Sequence, residues 1–310
     1  MTRHALVLFS VLCACATGGH CPTPPPCAAK PLAEPAPTYA APRKSITLTY
    51  LGVAGWSLSD GASTMLFDPY LTRAAIPDMD AIVQPDLEQI ARHSPERADV
   101  IAISHSHFDH ALDAPSIARR TGAILLGTKS TANLGRATGL PERQIVTAQG
   151  GEELRLGAFQ VRVVPALHSL VDLPNEPIDT VPALPLRARD YREGNTLQYF
   201  VRFAGHAVYF VGTANILEAE LYEMRPDVAI VAVGLRHKVP DYTCRLLRAL
   251  GLPARVLVNH FDEWKQPLTP GSVPLSAEAE ADLAAFEAEV HTCAPGTRVE
   301  VPVHLQAIAL

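Results

Sequence analysis

One stretch of eleven residues constrains this chain more than any other. Residues 103–113 read ISHSHFDHALD and place His105, His107, Asp109 and His110 within six positions. The stretch follows the apolar run ADVIAIS, which is typical of a buried strand, and precedes a segment of helical character. The turn between a buried strand and a helix is where α/β folds place ligands and catalytic groups. We therefore expect these side chains to form part of a functional site.

The residue types in this turn predict a metal site. Imidazole nitrogens and a carboxylate are the ligands that zinc and related transition metals prefer. Residues two apart in an extended chain project to the same side, so His105 and His107 can bind one ion. Asp109 and His110 point elsewhere as the chain turns into the helix, and they can bind a second ion. The alternative is chance clustering on a solvated loop, which so dense an arrangement disfavours.

The first 44 residues differ in composition from the rest of the chain. Residues 1–20 are predicted to be an export signal, because the positive start MTRH precedes the apolar stretch ALVLFSVLCACA. That stretch is too short for a membrane-spanning helix, which needs roughly 20 apolar residues. LCAC resembles the lipobox of bacterial lipoproteins, with Cys15 as the lipid attachment point and membrane tether, although an ordinary cleaved signal stays open. The location predicted is periplasmic or membrane-anchored.

Residues 21–44 are rich in proline and are predicted to be an extended tether, with a leader of no particular role as the alternative. Residues 45–310 alternate strand-like and helix-like segments, which predicts one α/β domain. The net charge of −6, without a basic cluster, argues against a nucleic-acid partner. Cys244 and Cys293 can form a disulfide in an oxidising compartment.

The H-x-H-x-D-H turn resembles the signature of the metallo-β-lactamase superfamily, and the resemblance covers nearly everything after residue 45. It implies a four-layer αββα sandwich. It also implies that His168, in VVPALHS, completes the first metal group and that His260, in RVLVNHFDEW, completes the second. Asp68, in LFDPY, would suit an orienting role beside a ligand imidazole. An ordinary turn aspartate is the competing interpretation.

One departure from the family pattern concerns the metals. The family usually has a bridging aspartate in a Gly-Asp-Thr sequence, whereas here Gly212 is followed by Thr213 in VYFVGTAN. The histidine-rich subclass of true metallo-β-lactamases also lacks that aspartate, so a two-ion site stays open beside a one-ion site. Zinc is the expected metal, with manganese or iron as alternatives. The expected ligand groups are His105, His107 and His168 for one ion, and Asp109, His110 and His260 for the other.

The resemblance implies hydrolysis by metal-bound hydroxide, because coordination lowers the pKa of water to about 7. Asp109 is the candidate catalytic residue that orients this water or accepts its proton. The wording of the motifs is closest to N-acylphosphatidylethanolamine phospholipase D and sugar-phosphate lactonases, which implies a phosphodiester, ester or lactone of a small molecule or lipid. Arg236 and His237, in GLRHKVPD, are candidates for binding an anionic substrate group. A solvated loop is the alternative for them.

Two other functional classes stay open at this stage. The first is an exported β-lactamase, which agrees with the ligand set but less well with the surrounding residues. The second is a non-catalytic, lipid-tethered binding module on a decayed hydrolase fold. Thr213 favours decay, whereas the six retained ligand-type residues argue against it.

Overall fold

The structure, a computed structural model, describes residues 43–310, which include the domain predicted for residues 45–310. The predicted signal, Cys15 and nearly all of the predicted tether lie outside the described residues. The strands, in chain order, are β1 (Thr47–Gly52), β2 (Gly55–Ser59), β3 (Thr64–Phe67), β4 (Ile82–Val83), β5 (Val100–Ala102), β6 (Ile124–Gly127), β7 (Ile145–Thr147), β8 (Glu153–Leu156), β9 (Phe159–Ala166), β10 (Leu186–Arg187), β11 (Thr196–Phe203), β12 (His206–Val211), β13 (Val228–Ala232), β14 (Arg255–Asn259), β15 (Arg298–Glu300) and β16 (Ala307–Ala309). The α-helices are α1 (Leu87–His93), α2 (Phe108–Ala111), α3 (Ala114–Thr121), α4 (Lys129–Ala137), α5 (Tyr242–Ala249) and α6 (Ala277–Cys293). Among the described helices, none is long and apolar enough to cross a membrane.

Two seven-stranded sheets form the centre of the domain. The first has the order β16-β1-β2-β3-β5-β6-β7, and the second has the order β15-β14-β13-β12-β11-β9-β8. Each sheet combines an antiparallel part with a parallel part, which begins at the β3–β5 pair in the first and at the β12–β13 pair in the second. The parallel strands β5 and β14 both end close to residues that the sequence analysis selected.

The apolar run VIAI explains why β5 is buried on both sides. Val100 and Ala102 face the core between the sheets, whereas Ile101 and Ile103 join the cluster that contains α3 and α4. A strand covered on both faces has a continuous apolar sequence rather than an alternating one. The core between the sheets includes the stacked rings of Phe67 and Phe210, 4.7 Å apart.

The remaining layer is built by the two C-terminal helices. Leu246 of α5, with Phe286 and Val290 of α6, belongs to the same apolar cluster as the second sheet. Ser276 begins α6 by accepting a hydrogen bond from Ala279 N, as a helix N-cap does. The predicted fold class, an α/β four-layer αββα sandwich, is confirmed.

A disulfide joins α5 to the end of α6. Cys244 and Cys293 are bonded with their Cα atoms 5.5 Å apart and 49 residues apart in sequence, so the structure realises the pairing that the sequence allowed.

Removing this disulfide should destabilise the domain without touching the metal groups. For the double variant Cys244→Ser, Cys293→Ser we expect the free energy of unfolding to fall by about 2–4 kcal/mol, because the bond closes a long loop in the unfolded chain. Urea unfolding followed by circular dichroism measures the change. Reductant should lower the wild-type midpoint and leave that of the variant unchanged. Equal midpoints for the two oxidised proteins would contradict the prediction.

Candidate metal centre

The six candidate ligands lie at or just beyond strand ends. The chain leaves β5 at Ala102, runs through the buried Ser104 and His105, and enters the short helix α2 after His107. His168 follows β9 and His260 follows β14 directly. The fold therefore brings side chains from three distant parts of the chain to one edge of the sandwich.

The first group contains His105, His107 and His168. Their ligand-type nitrogens all lie within 4.8 Å of one another. The Nε2 atoms of His105 and His168 are only 3.0 Å apart. The imidazole centroids in this group are separated by 4.4 to 4.8 Å.

The second group contains Asp109, His110 and His260. Oδ2 of Asp109 lies 3.6 Å from Nε2 of His110 and 3.6 Å from Nε2 of His260. The rings of His105 and His110 have centroids 3.9 Å apart, so the two groups are neighbours. His260 reaches its place through a left-handed backbone conformation, φ 53°, and its N–H donates to Val53 O at 2.7 Å.

The hydrogen bonds around the first group assign its tautomers. Nδ1 of His168 lies 2.8 Å from the carbonyl oxygen of Ser169 and must donate to it. Ser104 Oγ donates to Asp68, so it accepts from Nδ1 of His105 at 3.0 Å. A neutral imidazole that donates through Nδ1 has a lone pair on Nε2. The two Nε2 lone pairs therefore face each other, and a cation between them resolves the contact.

The same reasoning applies to the second group. Nδ1 of His110 donates to Asp68 Oδ2 at 2.8 Å, so the neutral form of His110 carries its lone pair on Nε2, beside the Asp109 carboxylate. His107 Nε2 lies 3.3 Å from Pro174 O, which assigns its lone pair to Nδ1. In each of these rings, the nitrogen that faces away from the group donates a hydrogen bond, and the nitrogen that faces into the group carries a lone pair. This is the usual arrangement around a bound metal. The residues present thus fit a metal.

The electrostatics of the site also suit a cation. Burial lowers the pKa of His105 well below its ordinary value, and the neighbouring His110 adds to this effect. Burial, together with His107, lowers the pKa of His168 to about 3. Burial alone would raise the pKa of Asp109, but His110 and His260 hold it well below the usual range. At neutral pH His105 and His168 therefore offer neutral imidazoles and Asp109 an ionised carboxylate, the protonation states that bind metals. Burial alone would lower the pKa of His110, but the carboxylates of Asp109 and Asp68 raise it above its ordinary value.

Asp68 connects the two metal groups through hydrogen bonds, directly to His110 and through Ser104 to His105. Its fully buried carboxylate accepts hydrogen bonds from Ser104 N at 2.6 Å, from Ser104 Oγ at 2.5 Å and from His110 Nδ1 at 2.8 Å. These contacts favour the orienting role over the ordinary turn aspartate. Gly212 lies so close that a Cβ there would meet Asp68 Oδ2 at 2.6 Å and Ser104 Oγ at 2.3 Å. A side chain at Gly212 would therefore displace the orienting carboxylate.

Replacing the orienting carboxylate should weaken metal binding. For Asp68→Asn we expect metal affinity to fall by roughly 10- to 100-fold, because the amide neither carries the charge nor fixes the His110 tautomer as firmly. Competition titration against a chromophoric chelator measures the affinity. Asp179→Asn, at an exposed aspartate of the surface, is the matched control and should leave it unchanged. Equal affinity for Asp68→Asn and wild type would show that Asp68 does not orient His110.

Thr213, at the position of the usual bridging aspartate, supports a loop instead. Its hydroxyl donates to Ser169 Oγ at 2.8 Å and accepts from Ser169 N at 3.2 Å. Asn215 donates to the carbonyl oxygen of His168 at 2.9 Å. These side chains fasten the segment that carries His168, a role that the sequence analysis did not find.

A second network of hydrogen bonds and ion pairs supports the segment that follows His260. The buried carboxylate of Asp262 pairs with Arg73 and accepts from His304 Nε2 at 2.9 Å and from Tyr50 OH at 3.0 Å. Arg73 also donates to Gln266 O at 2.8 Å. The signal in the sequence was the acidic residue two positions after His260, but its partners are too distant in sequence to be recognised.

The structure does not bring Arg236 to the metal groups as a free cation. Its buried guanidinium donates to Asp282 at 2.5 Å and to Glu289 at 3.1 Å, both on α6. We therefore correct the interpretation of Arg236 as an anion-binding residue: its donors are already used within the fold. His237 is exposed and lines a separate cavity with Arg236, and none of the six candidate ligands lines that cavity.

Fold and site together define a class: an α/β sandwich with paired histidine-rich groups at one edge, which is the form of a metallohydrolase. The model of the beta-lactamase superfamily domain matches residues 63–261. The chain belongs to the metallo-β-lactamase superfamily. It is a metal-dependent hydrolase, as its curated relatives are.

The relatives cover most of the chain. A UPF0173 metal-dependent hydrolase of Rubrobacter xylanophilus is 28% identical over 258 residues, which span 80% of this chain and 94% of that protein. Another, of Archaeoglobus fulgidus, is 30% identical over 192 residues, 60% of this chain and 71% of that protein. Among solved structures, the metallo hydrolase Igni18 of Ignicoccus hospitalis shares the fold with a TM-score of 0.54 at 22% identity, covering 86% of this chain and 98% of that one.

Proposed function

We propose that the protein is a zinc-dependent hydrolase that cleaves an ester, a lactone or a phosphodiester in a small molecule or lipid. The observation that carries the proposal is the convergence of lone pairs, above all the 3.0 Å separation of the His105 and His168 Nε2 atoms. Nitrogen-rich sites with one carboxylate suit zinc, and they also accept iron or manganese. One or two ions are consistent with the two groups.

In this proposal the six candidate ligands have distinct roles. His105, His107 and His168 would hold one ion, and the group of Asp109, His110 and His260 would hold another. A bound ion would supply Lewis acidity and lower the pKa of a coordinated water. Asp109 is ionised and partly exposed, so its carboxylate can accept a hydrogen bond from the attacking water and orient it.

A cavity beside the first group offers room for a substrate. It has a volume of about 400 Å³ and is lined by His107, by His168 and by residues of the segment that follows His168. This is within the usual size of pockets for small molecules. A substrate in it would lie directly against two of the proposed ligands.

The test is a substrate panel with the metal controlled. Purified protein is assayed with generic 4-nitrophenyl esters, a lactone, bis(4-nitrophenyl) phosphate and nitrocefin, before and after dialysis against chelator. We expect hydrolysis of at least one of the ester, lactone or phosphodiester probes, loss after dialysis, and recovery when zinc is added back. Activity that survives complete metal removal would contradict the proposal. Hydrolysis of nitrocefin alone would point to a β-lactamase.

We also propose that the protein is exported and tethered to a membrane through Cys15. The disulfide between Cys244 and Cys293 supports an oxidising compartment, since cytosolic proteins seldom hold structural disulfides. Fractionation of a bacterial host that expresses the full chain tests this proposal. Wild type should sediment with membranes and Cys15→Ala should not, whereas recovery of both from the cytosol would contradict export.

A further inference from the structure

The cavity beside the first histidine group has an apolar wall. Leu167, Leu170, Val171 and Leu173 line it, and the first three have exposed fractions of 46%, 56% and 37%. Neighbouring apolar side chains that remain this exposed at a concave site usually contact a ligand. The wall therefore suits an aliphatic or aromatic portion of a substrate.

The cavity also carries a single carboxylate. Glu193 is the only aspartate, glutamate, lysine or arginine among the described residues that line it. Its backbone is bonded to the turn that carries His105 and His107, because Ser106 N donates to Glu193 O at 2.9 Å. Glu193 N in turn donates to Pro174 O at 3.0 Å. Thr196 donates to Oε1 at 2.8 Å, and Oε2 has no hydrogen-bond partner among the described residues.

The surrounding charges do not compensate this carboxylate. Arg192, although adjacent in sequence, is exposed and does not line the cavity. Asp172 and Glu176, in the segment that follows His168, are also exposed and do not line the cavity. Partial burial raises the pKa of Glu193, which means that the carboxylate would gain from a cationic neighbour. No lysine or arginine among the described residues lines the cavity to offset this charge, so an anionic group placed beside Glu193 would be repelled by it.

We propose that Glu193 is a specificity-determining residue that binds a cationic or N–H-donating group of the substrate. The proposal rests on the proposed hydrolase function and narrows its substrate class. The substrate is an amphipathic ester or lactone whose apolar part lies against the wall formed by Leu167, Leu170, Val171 and Leu173. An amine or another donor on that part contacts Oε2 of Glu193. Phosphodiesters with a further anionic group on this side are disfavoured.

The experiment compares three 4-nitrophenyl esters of equal chain length that differ only at the far end. The acyl groups are heptanoyl, 6-aminohexanoyl and the monoacyl group of adipic acid, with methyl, ammonium and carboxylate ends. For wild type we expect kcat/KM for the ammonium ester to exceed that for the carboxylate ester by at least about tenfold, which corresponds to about 1.4 kcal/mol. Glu193→Gln, which keeps the shape and the bond from Thr196, should remove most of this preference. Glu176→Gln is the matched control and should retain it.

A binding measurement separates the subsite from the chemistry. Calorimetry with the full-length protein as purified compares hexylammonium with hexanol, neither of which needs a metal to bind. Hexylammonium should bind wild type about tenfold more tightly than it binds Glu193→Gln, and hexanol should not distinguish them. The ammonium preference in binding without hydrolysis of any ester would support the subsite and contradict esterase function. Hydrolysis of all three esters at ratios that Glu193→Gln leaves unchanged would overturn the subsite and leave the hydrolase intact.

Discussion

His105→Ala should lower kcat/KM for any hydrolysed substrate by at least about a thousandfold. His105 contributes the Nε2 atom that faces His168 at 3.0 Å, and its ring also packs against His110, so it is central to both groups. Metal ions contribute several kcal/mol of charge stabilisation in the transition state. Each 1.36 kcal/mol lost is a tenfold loss in rate, so the loss of about 4 kcal/mol gives the stated factor.

The matched control for this variant is His291→Ala. His291 is an exposed histidine on α6, far in sequence from every candidate ligand, and its replacement should leave kcat/KM within about twofold of wild type. Circular dichroism confirms that both variants are folded. A folded His105→Ala protein that retains wild-type kcat/KM would show that the histidine group is not the catalytic centre.

Arg236→Ala should destabilise the domain by about 2 kcal/mol, because it removes a buried cation whose hydrogen bonds to two partly exposed carboxylates join the segment after β13 to α6. The guanidinium is buried, donates to both Asp282 and Glu289, and lies over the ring of Phe286 at 5.6 Å. If Arg236 bound substrate instead, its loss would raise KM and leave stability nearly unchanged. Urea unfolding and steady-state kinetics on the same preparation distinguish the two roles.

Arg245→Ala is the control for the Arg236 variant. Arg245 pairs with Glu218 at the surface, where both side chains are partly exposed, so its loss should cost less than about 1 kcal/mol. Equal stability losses for the two variants would contradict the structural role of Arg236. A large rise in KM for Arg236→Ala at unchanged stability would restore the anion-binding interpretation.

The local pattern of the sequence was sufficient to predict an α/β domain and the turn, whereas the four-layer αββα arrangement followed from the family resemblance. The run ADVIAIS predicted a buried strand, and the structure shows that β5 is buried on both faces, with Val100 and Ile101 on opposite sides. His105 to His110 are adjacent in the chain, so their proximity needs little tertiary information. His168 and His260 followed from the family resemblance and from their place at strand ends.

What the sequence did not predict depends on contacts between distant residues. The sequence of residues 236–238 does not show whether its basic side chains are free or paired with acidic residues elsewhere. The acidic partners of Arg236 lie 46 and 53 residues further along the chain. Thr213 was read as a lost ligand because its bond to Ser169 spans 44 residues. The cavity and the position of Glu193 depend on how the segment after His168 folds, which no periodicity encodes.

Elemental analysis of the active protein tests the central claim most directly. Full-length protein is purified without chelator, and its transition-metal content is measured by inductively coupled plasma mass spectrometry beside that of His105→Ala and His291→Ala. We expect at least one equivalent of zinc, iron or manganese per chain in wild type and His291→Ala, with a large loss in His105→Ala. Hydrolytically active protein that contains no transition metal, or His105→Ala that retains the full wild-type content, would contradict the account.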